Sequence, residues 1–463
     1  MKASVPLPAP PLTPAAPAEL AAFMAAHPQM RFCELIFTGM SGVPRGKRLR
    51  MHELAAVYEQ GRMLPVSILV ADITGEDVPE TGLVWEEGDS DRAARPAAGT
   101  LVPAPWLGDD VAQVILTLHE RDDTPSDLDP RAVLAGVLAR FAADGLTPVV
   151  ACELEYYLVE RDGAGLRPAR VGGFEPSLHG TYGLTELADI DAFLRELWDT
   201  ADAQGVPLEG AISEYAAGQI ELTLKHRADA LRAADEAVMY KRLAKGVAAR
   251  HGWHATFMAK PFADSAGSGM HMHVSVADAA GNNIFASESP EGSEALRHAI
   301  GGMKATLGDC FALFAPNANS YRRFRANSYA PVSPTWGVDN RTVSLRVPAG
   351  TPANRHVEHR VAGADANPYL ALAGLLAGVH HGLTHRIDPG APVVGDGYAA
   401  AATGPKLPSN WFAAVEAFAA SPVIRDYLGE RFQRMFAIHK ATEQDRYFAK
   451  VPPLDIEWYL RNA

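Results

Sequence analysis

The sequence predicts an α+β protein in two parts, a small strand-rich N-terminal region followed by a larger one in which strands alternate with helices. Three observations predict it. At 463 residues the chain is long enough for a large core and two domains. Residues 18–120 mix short strand-like runs with Pro- and Gly-rich turns. Beyond Pro130, segments of period two alternate with helical ones. The expected division is a flexible Pro/Ala-rich tail at 1–17, an N-terminal domain at 18–122 and a larger domain at 123–463.

In the first part, Arg31 to Phe37 and Val111 to Leu118 read as strands. The acidic stretch Glu120 to Asp129, interrupted by Pro125, reads as a linker, and Pro130 opens a helix that Gly145 ends. Thr147 to Leu158 is the next strand, and Leu187 to Ala203 an amphipathic helix. Pro207 to Leu224 holds strands broken at Gly218, and Ala228 to Arg250 a long helix. Met270 to Val276 alternates, with His271, His273 and Ser275 on one face, and Thr342 to Val347 alternates as well. Asn367-Pro368 is an N-cap and first-turn pair for a buried Ala- and Gly-rich helix.

A net charge of −13 argues against nucleic acid or an anionic membrane as a principal partner. Three widely spaced cysteines, Cys33, Cys152 and Cys310, suit neither a disulfide framework nor a cysteine zinc site, and a cytoplasmic setting is expected. The Pro-interrupted start does not read as a signal peptide, and Tyr369 to Val379 is too short to span a bilayer.

The chemistry is carried by acids. Glu153 and Glu155 are two apart on a strand and so share a face; Glu214, Glu221, His271 and Glu358 lie in three further strand-like segments. A lone strand Glu is ordinarily a solvated face, but these sit among β-branched and aromatic residues, where an uncompensated charge is costly. Carboxylates with a single imidazole suit Mg²⁺ or Mn²⁺, two or three per site. Arg341, Arg346 and Arg360 lie beside these positions, and their planar forks suit carboxylate or phosphate. Metals and arginines around one cavity are what phosphoryl transfer requires. There is no P-loop: Gly42-Val-Pro-Arg-Gly-Lys47 is a near-miss.

Five motifs in this order resemble the glutamine synthetase superfamily from about residue 17 to the C-terminus. They are Glu-x-Glu, Glu-x₆-Glu, Gly-Ser-Gly-Met-His-x-His-x-Ser, Asn-Arg-x₄-Arg-x-Pro and Glu-x-Arg followed by Asn-Pro-Tyr. Arg45-Gly46-Lys47, Ala71 to Gly75 and Glu80-Thr81-Gly82 resemble its γ-glutamylpolyamine synthetase branch. The resemblance implies a β-grasp-like N-terminal domain, a catalytic domain with a funnel of antiparallel strands, and a dodecamer of two stacked hexamers whose sites are shared between neighbours. It implies Glu155, Glu214 and Glu221 on one metal and Glu153, His271 and Glu358 on another. It places Glu209, His273, Ser275, Arg346 and Arg355 on the ATP side. Arg341 and Arg346 would face the transferring phosphate, with Gly267, Arg323, Arg341 and Arg360 at glutamate.

The chain departs from the ammonia-using pattern at two acids. Pro65 stands where an ammonium-binding Asp is expected, and Tyr329 where a Glu precedes Ala330-Pro331-Val332. Burying ammonium without counter-charge is costly. The expected activity is therefore an ATP-dependent ligase joining glutamate to a small primary amine, with an ammonia-using synthetase as runner-up and a non-catalytic relative behind both. Met63, Leu64, Val66 and Trp336 are expected to line an apolar acceptor pocket that favours monoamines; a polyamine would need a carboxylate, with Asp72, Glu76 or Asp77 as candidates.

Overall fold

The computed structural model describes residues 12–163, 165–170, 180–401 and 404–463. The apolar runs of the first part form β1 (Phe32–Thr38), β2 (Pro44–Arg50), β3 (Arg62–Pro65), β4 (Asp91–Pro96), β5 (Val102–Pro103) and β6 (Val111–His119). They make one sheet in the order β2-β1-β6-β4-β3, with β5 also on β6; β1 and β6 are parallel and the other pairs antiparallel. β6 is buried along its whole length because it is central, whereas the edge strand β2 carries Arg45, Lys47, Arg48 and Arg50, charges that discourage further pairing. Of the segment expected as a tail, residues 1–11 lie outside the described residues. The rest is docked: the Ala15 amide donates to the Pro96 carbonyl at 2.9 Å, and Pro17 begins a helix, Pro17–Ala26.

The acidic linker ends on Asp129, whose side chain accepts from the Arg131 amide and caps the helix Pro130–Ala143. The second sheet follows, from β7 (Thr147–Asp162), β8 (Gly165–Pro168), β9 (Leu208–Ser213), β10 (Gln219–Leu224), β11 (His254–Thr256), β12 (Met270–Ala277), β13 (Trp336–Val338), β14 (Leu345–Val347) and β15 (Val357–His359). Its order is β13-β14-β15-β12-β7-β10-β9, with β8 and β11 also on β7. All pairs are antiparallel except β13 with β14.

Two expected elements differ. The helix expected at Leu187–Ala203 is two, Leu184–Asp189 and Asp191–Gln204, because the backbone leaves helical geometry at the buried Ile190 and restarts. The strand expected at Thr342–Val347 shortens to β14, since Thr342 instead bonds the Asn340 side chain in a turn.

Helices cover the second sheet. Asp229 caps Ala230–Arg250, and Asn367 caps the buried helix Pro368–His385. That helix packs on Glu294–Thr306 at glycine contacts, where a Cβ on Gly382 would stand 2.7 Å from the Gly302 nitrogen. A buried ion pair ties these layers together. Arg131 grips Asp235 with two bonds at 2.9 and 3.0 Å, and the Tyr369 hydroxyl donates to the same carboxylate at 2.7 Å. The first sheet is anchored to the rest by Arg242 on Glu34, the Asn367 amide on the Gly39 carbonyl, and Arg446 on Asp72. Among the described residues, no helix is long and apolar enough to cross a membrane.

Candidate active site

Strand register brings the acids together. Glu221 on β10 stands opposite Glu155 on β7; Glu153 stands opposite His271 on β12; His273 stands opposite Glu358 on β15; Glu358 stands opposite Arg346 on β14. The period of two then puts Glu153 and Glu155 on one face while Cys152, Leu154 and Tyr156 enter the core. Glu214, in the turn after β9, completes a group with Glu155 and Glu221 whose oxygens all lie within 4.8 Å of one another. Glu153, Glu221 and His271 form a second such group, and Glu153, His273 and Glu358 a third.

The set expected as Glu153, His271 and Glu358 converges as well. His271 Nδ1 is 3.6 Å from Glu153 and 3.7 Å from Glu358. His273, expected on the ATP side, comes closer still to Glu153, at 3.0 Å.

The electrostatics divide the cluster. Burial and then the charge of Glu155 push Glu221 up to about 9 and Glu214 up to about 7. Burial opposes ionisation of Glu358 too, but Arg360, His271 and His273 outweigh it and hold this carboxyl at about 2. Glu153 is held well below the usual range, its burial outweighed by bonds to His271 and His273. The Glu358 side is therefore balanced by cationic side chains. The Glu155–Glu214–Glu221 side is not: it retains protons until another cation replaces them. An excess of hard oxygen donors in one buried group fits a divalent cation of the Mg²⁺ class.

The arginines differ in setting. Arg346 donates to Glu358 at 2.9 Å and to Asp339 at 2.6 Å. Arg360 is buried and bonds Glu358, and Arg323 is buried and donates to the Val361 carbonyl at 2.7 Å and the Arg360 carbonyl at 3.3 Å. Arg341 is exposed and lines a cavity of about 690 Å³ with Tyr329 and Asp339. Arg355 is buried and turned to the Ser287 carbonyl at 3.4 Å, where it braces a loop. Gly267 has no room for a side chain, since a Cβ there would stand 2.7 Å from Arg323 Cγ and 2.8 Å from the Ala259 carbonyl oxygen. Gln219 donates to both Glu155 and the Gly267 carbonyl, and the Gly269 amide donates to Glu155 at 2.8 Å. Ser275 is half-buried on the His271 face, and Glu209 is exposed at the start of β9.

The acceptor side corrects the sequence reading. Leu64 (3% exposed), Val66 (0%) and Trp336 (1%) are core residues, whereas Met63 is exposed. Alternation could not reveal this, because β3 is a short edge strand in which Leu64 alone is buried. Pro65 stands in the first sheet opposite Asp91, while Tyr329 is exposed in a left-handed turn (φ 55°) over the second. Sequence reasoning missed Asp339 and His226. Asp339 holds Arg346, and His226 lies in a ring cluster with His273 and His356. Only the fold brings His226 to its partners, and Asp339 meets Arg346 across the turn between β13 and β14, so neither left a periodic signal.

The model of the glutamine synthetase catalytic domain matches residues 127–459. The γ-glutamylputrescine synthetase of Escherichia coli is 37% identical over 453 residues, 96% of this chain and 95% of that one. The γ-glutamylethanolamide synthetase of Streptomyces coelicolor is 32% identical over 440 residues, 93% of this chain and 91% of that one. A solved ligand-free structure of GmaS superposes with a TM-score of 0.84 at 28% identity, over 96% of this chain and all of that one. The match covers the full set of strands that carry the acidic cluster, and the chain belongs to the glutamine synthetase family.

Proposed function

We propose that this protein is an ATP-dependent glutamate–amine ligase that forms a γ-glutamylamide through γ-glutamyl phosphate. One observation carries the reading: a complete cluster of acids, histidines and arginines stands together with Pro65 and Tyr329 in place of the two acids an ammonium site needs. Names of full-length relatives that make amides of putrescine and ethanolamine support it.

Glu155, Glu214 and Glu221 would hold one Mg²⁺ or Mn²⁺, and Glu153, His271 and Glu358 another. Such ions supply charge neutralisation at the phosphates and orient the ATP. Arg341 and Arg346 are assigned to the transferring phosphoryl group, and Glu209, His273, Ser275 and Arg355 to the nucleotide side. Gly267, Arg323 and Arg360 are assigned to glutamate, whose γ-carboxylate oxygen attacks the γ-phosphorus while ADP leaves. The amine, deprotonated, then attacks the acyl carbon and phosphate leaves. Tyr329 would cover this step without supplying a carboxylate.

We assign a diamine as the favoured acceptor. With Leu64, Val66 and Trp336 in the core, only Met63 of the expected apolar lining is exposed, which weakens the case for monoamines. Glu76, Asp77 and Glu80 are exposed on the loop after Asp72, which Arg446 and Arg45 hold in place, and they offer carboxylates for a distal ammonium. The proposal includes an N-terminal domain at 18–122, a catalytic domain at 123–463, and neighbouring chains sharing sites in a dodecamer. Exposed Val451, Trp458 and Leu460 support coverage by another copy. Three buried free cysteines fit a cytoplasmic setting.

The test is phosphate release in the presence of ATP, glutamate, Mg²⁺ and an amine panel, with the product identified by mass. Release that requires an amine and yields its γ-glutamylamide is the expected result. Release without any amine dependence contradicts it.

A further inference from the structure

We propose that the cavity between the first sheet and the helix Ala230–Arg250 is a binding site for a small organic phosphate, separate from the acidic cluster. The cavity is about 1100 Å³ and lies behind β7. Phe257, in its wall, stacks on Tyr156 at 4.9 Å, and Tyr156 is on the face of β7 opposite to Glu153 and Glu155.

The charge of this cavity is opposite to that of the chain. In a molecule of net charge −13, four cations line it, Lys241, Arg242, Lys245 and Arg250, against two acids, Glu34 and Asp365. Both acids already have donors: Glu34 accepts from Arg48 at 2.6 Å and Arg242 at 2.5 Å, and Asp365 accepts from Asn317 at 2.7 Å and Ser320 at 2.6 Å. Arg250 is paired with Glu196 at 2.6 Å. The two lysines are left without a carboxylate. Lys241 donates to the Ala364 and Ala366 carbonyls at 2.7 and 3.1 Å, and Lys245 has neither a hydrogen bond nor an ion pair among the described residues. Being four apart, they share a helix face, where like charges are unfavourable. Both ammoniums lie over the Phe257 ring, 5.5 and 5.8 Å from its centroid. Burial and then the charge of Lys245, which outweighs that of Asp365, bring Lys241 down to about 7.

These free donors set the chemistry of the occupant. Lys241 keeps one N–H unused and Lys245 all three. Compact ammoniums suit the oxygens of a phosphate, whereas a planar carboxylate favours the guanidinium fork, and Arg242 and Arg250 are engaged elsewhere. The cavity is much larger than a phosphate ion, and Trp106, Leu107 and Phe257 supply an apolar wall for an organic body. That wall is firm, because Trp106 packs so closely on the helix that Gly246 has no room for a Cβ. An anion held here would satisfy the idle donors and relieve the repulsion between the two lysines in one step.

The test uses pyridoxal 5′-phosphate as probe on the full-length protein, without ATP or glutamate, so its outcome is independent of the ligase reading. One lysine can hold the phosphate while the other, as a free amine, forms an imine with the aldehyde and releases water. Borohydride fixes the adduct, and peptide mass locates it. Measured against the exposed Lys406 as internal reference, labelling at Lys241 or Lys245 should be at least about 10-fold faster than with pyridoxal, which lacks the phosphate. Inorganic phosphate should suppress this labelling and leave that of Lys406 unchanged. Lys245→Met, checked for folding by thermal unfolding, should slow labelling at Lys241 by about 10-fold. Three results overturn the proposal: equal labelling by the two aldehydes; no labelling at either lysine, which would mean that the fold or a neighbouring copy fills the cavity; or protection by succinate and not by phosphate.

Discussion

Glu221 shows how one side chain reports the demand of a whole site. It is buried beside Glu155, Glu153 and Glu214, and it keeps its proton up to about 9. Removing it, or Glu155, takes away a carboxylate that the cation-binding group requires, and Glu221→Ala or Glu155→Ala should lower phosphate release by at least about 10²-fold. A variant with near-normal turnover would refute the assignment. The same raised carboxyls make a stability prediction for the metal-free protein. Between the ordinary carboxyl value and about 9, the folded state binds more protons at Glu214 and Glu221 than the unfolded state does. Stability should therefore fall as pH rises through that window. Glu153 and Glu358 are shifted the other way, so their contribution is lost only below the ordinary carboxyl value. Thermal unfolding after chelation should show Tm declining from about pH 5 to about pH 9, with added Mg²⁺ raising it most at the alkaline end. A flat metal-free profile would contradict the account.

At the scale of elements, the site is a matter of register: β10, β7, β12, β15 and β14 place Glu221, Glu155, Glu153, His271, His273, Glu358 and Arg346 in adjoining rows. Much of this was legible. Alternation found β7 and β12, and cap residues found the helices at Pro130–Ala143 and Pro368–His385. What alternation could not give was which strands pair and how turns fold back, and so it missed His226, whose neighbours are distant in sequence, and Asp339, which meets Arg346 across a turn. It also misjudged Leu64 and Val66, because a short run of apolar residues looks alike whether it lines a pocket or fills a core. The layers themselves hang on Arg131, Asp235 and Tyr369. Asp235→Ala leaves Arg131 buried and unpaired, and should cost about 3–5 kcal/mol in denaturant unfolding. A loss well under 1 kcal/mol would mean that water reaches this pair.

At the scale of the whole molecule, Pro65 lies in the first sheet and Tyr329 in an exposed turn outside both sheets, which accords with the proposal of acceptor sites completed by a neighbouring copy. The separately expressed 123–463 segment should then release no phosphate even when folded, and an active monomeric segment would sink the shared-site reading. The central claim is that a constellation for making γ-glutamyl phosphate has been turned from ammonia to an organic amine. Steady-state kcat/KM with ammonium, ethanolamine, isopropylamine and putrescine, at fixed ATP, glutamate and Mg²⁺, tests it most directly. The account predicts putrescine highest and ammonium poorest; ammonium giving the highest kcat/KM would contradict it.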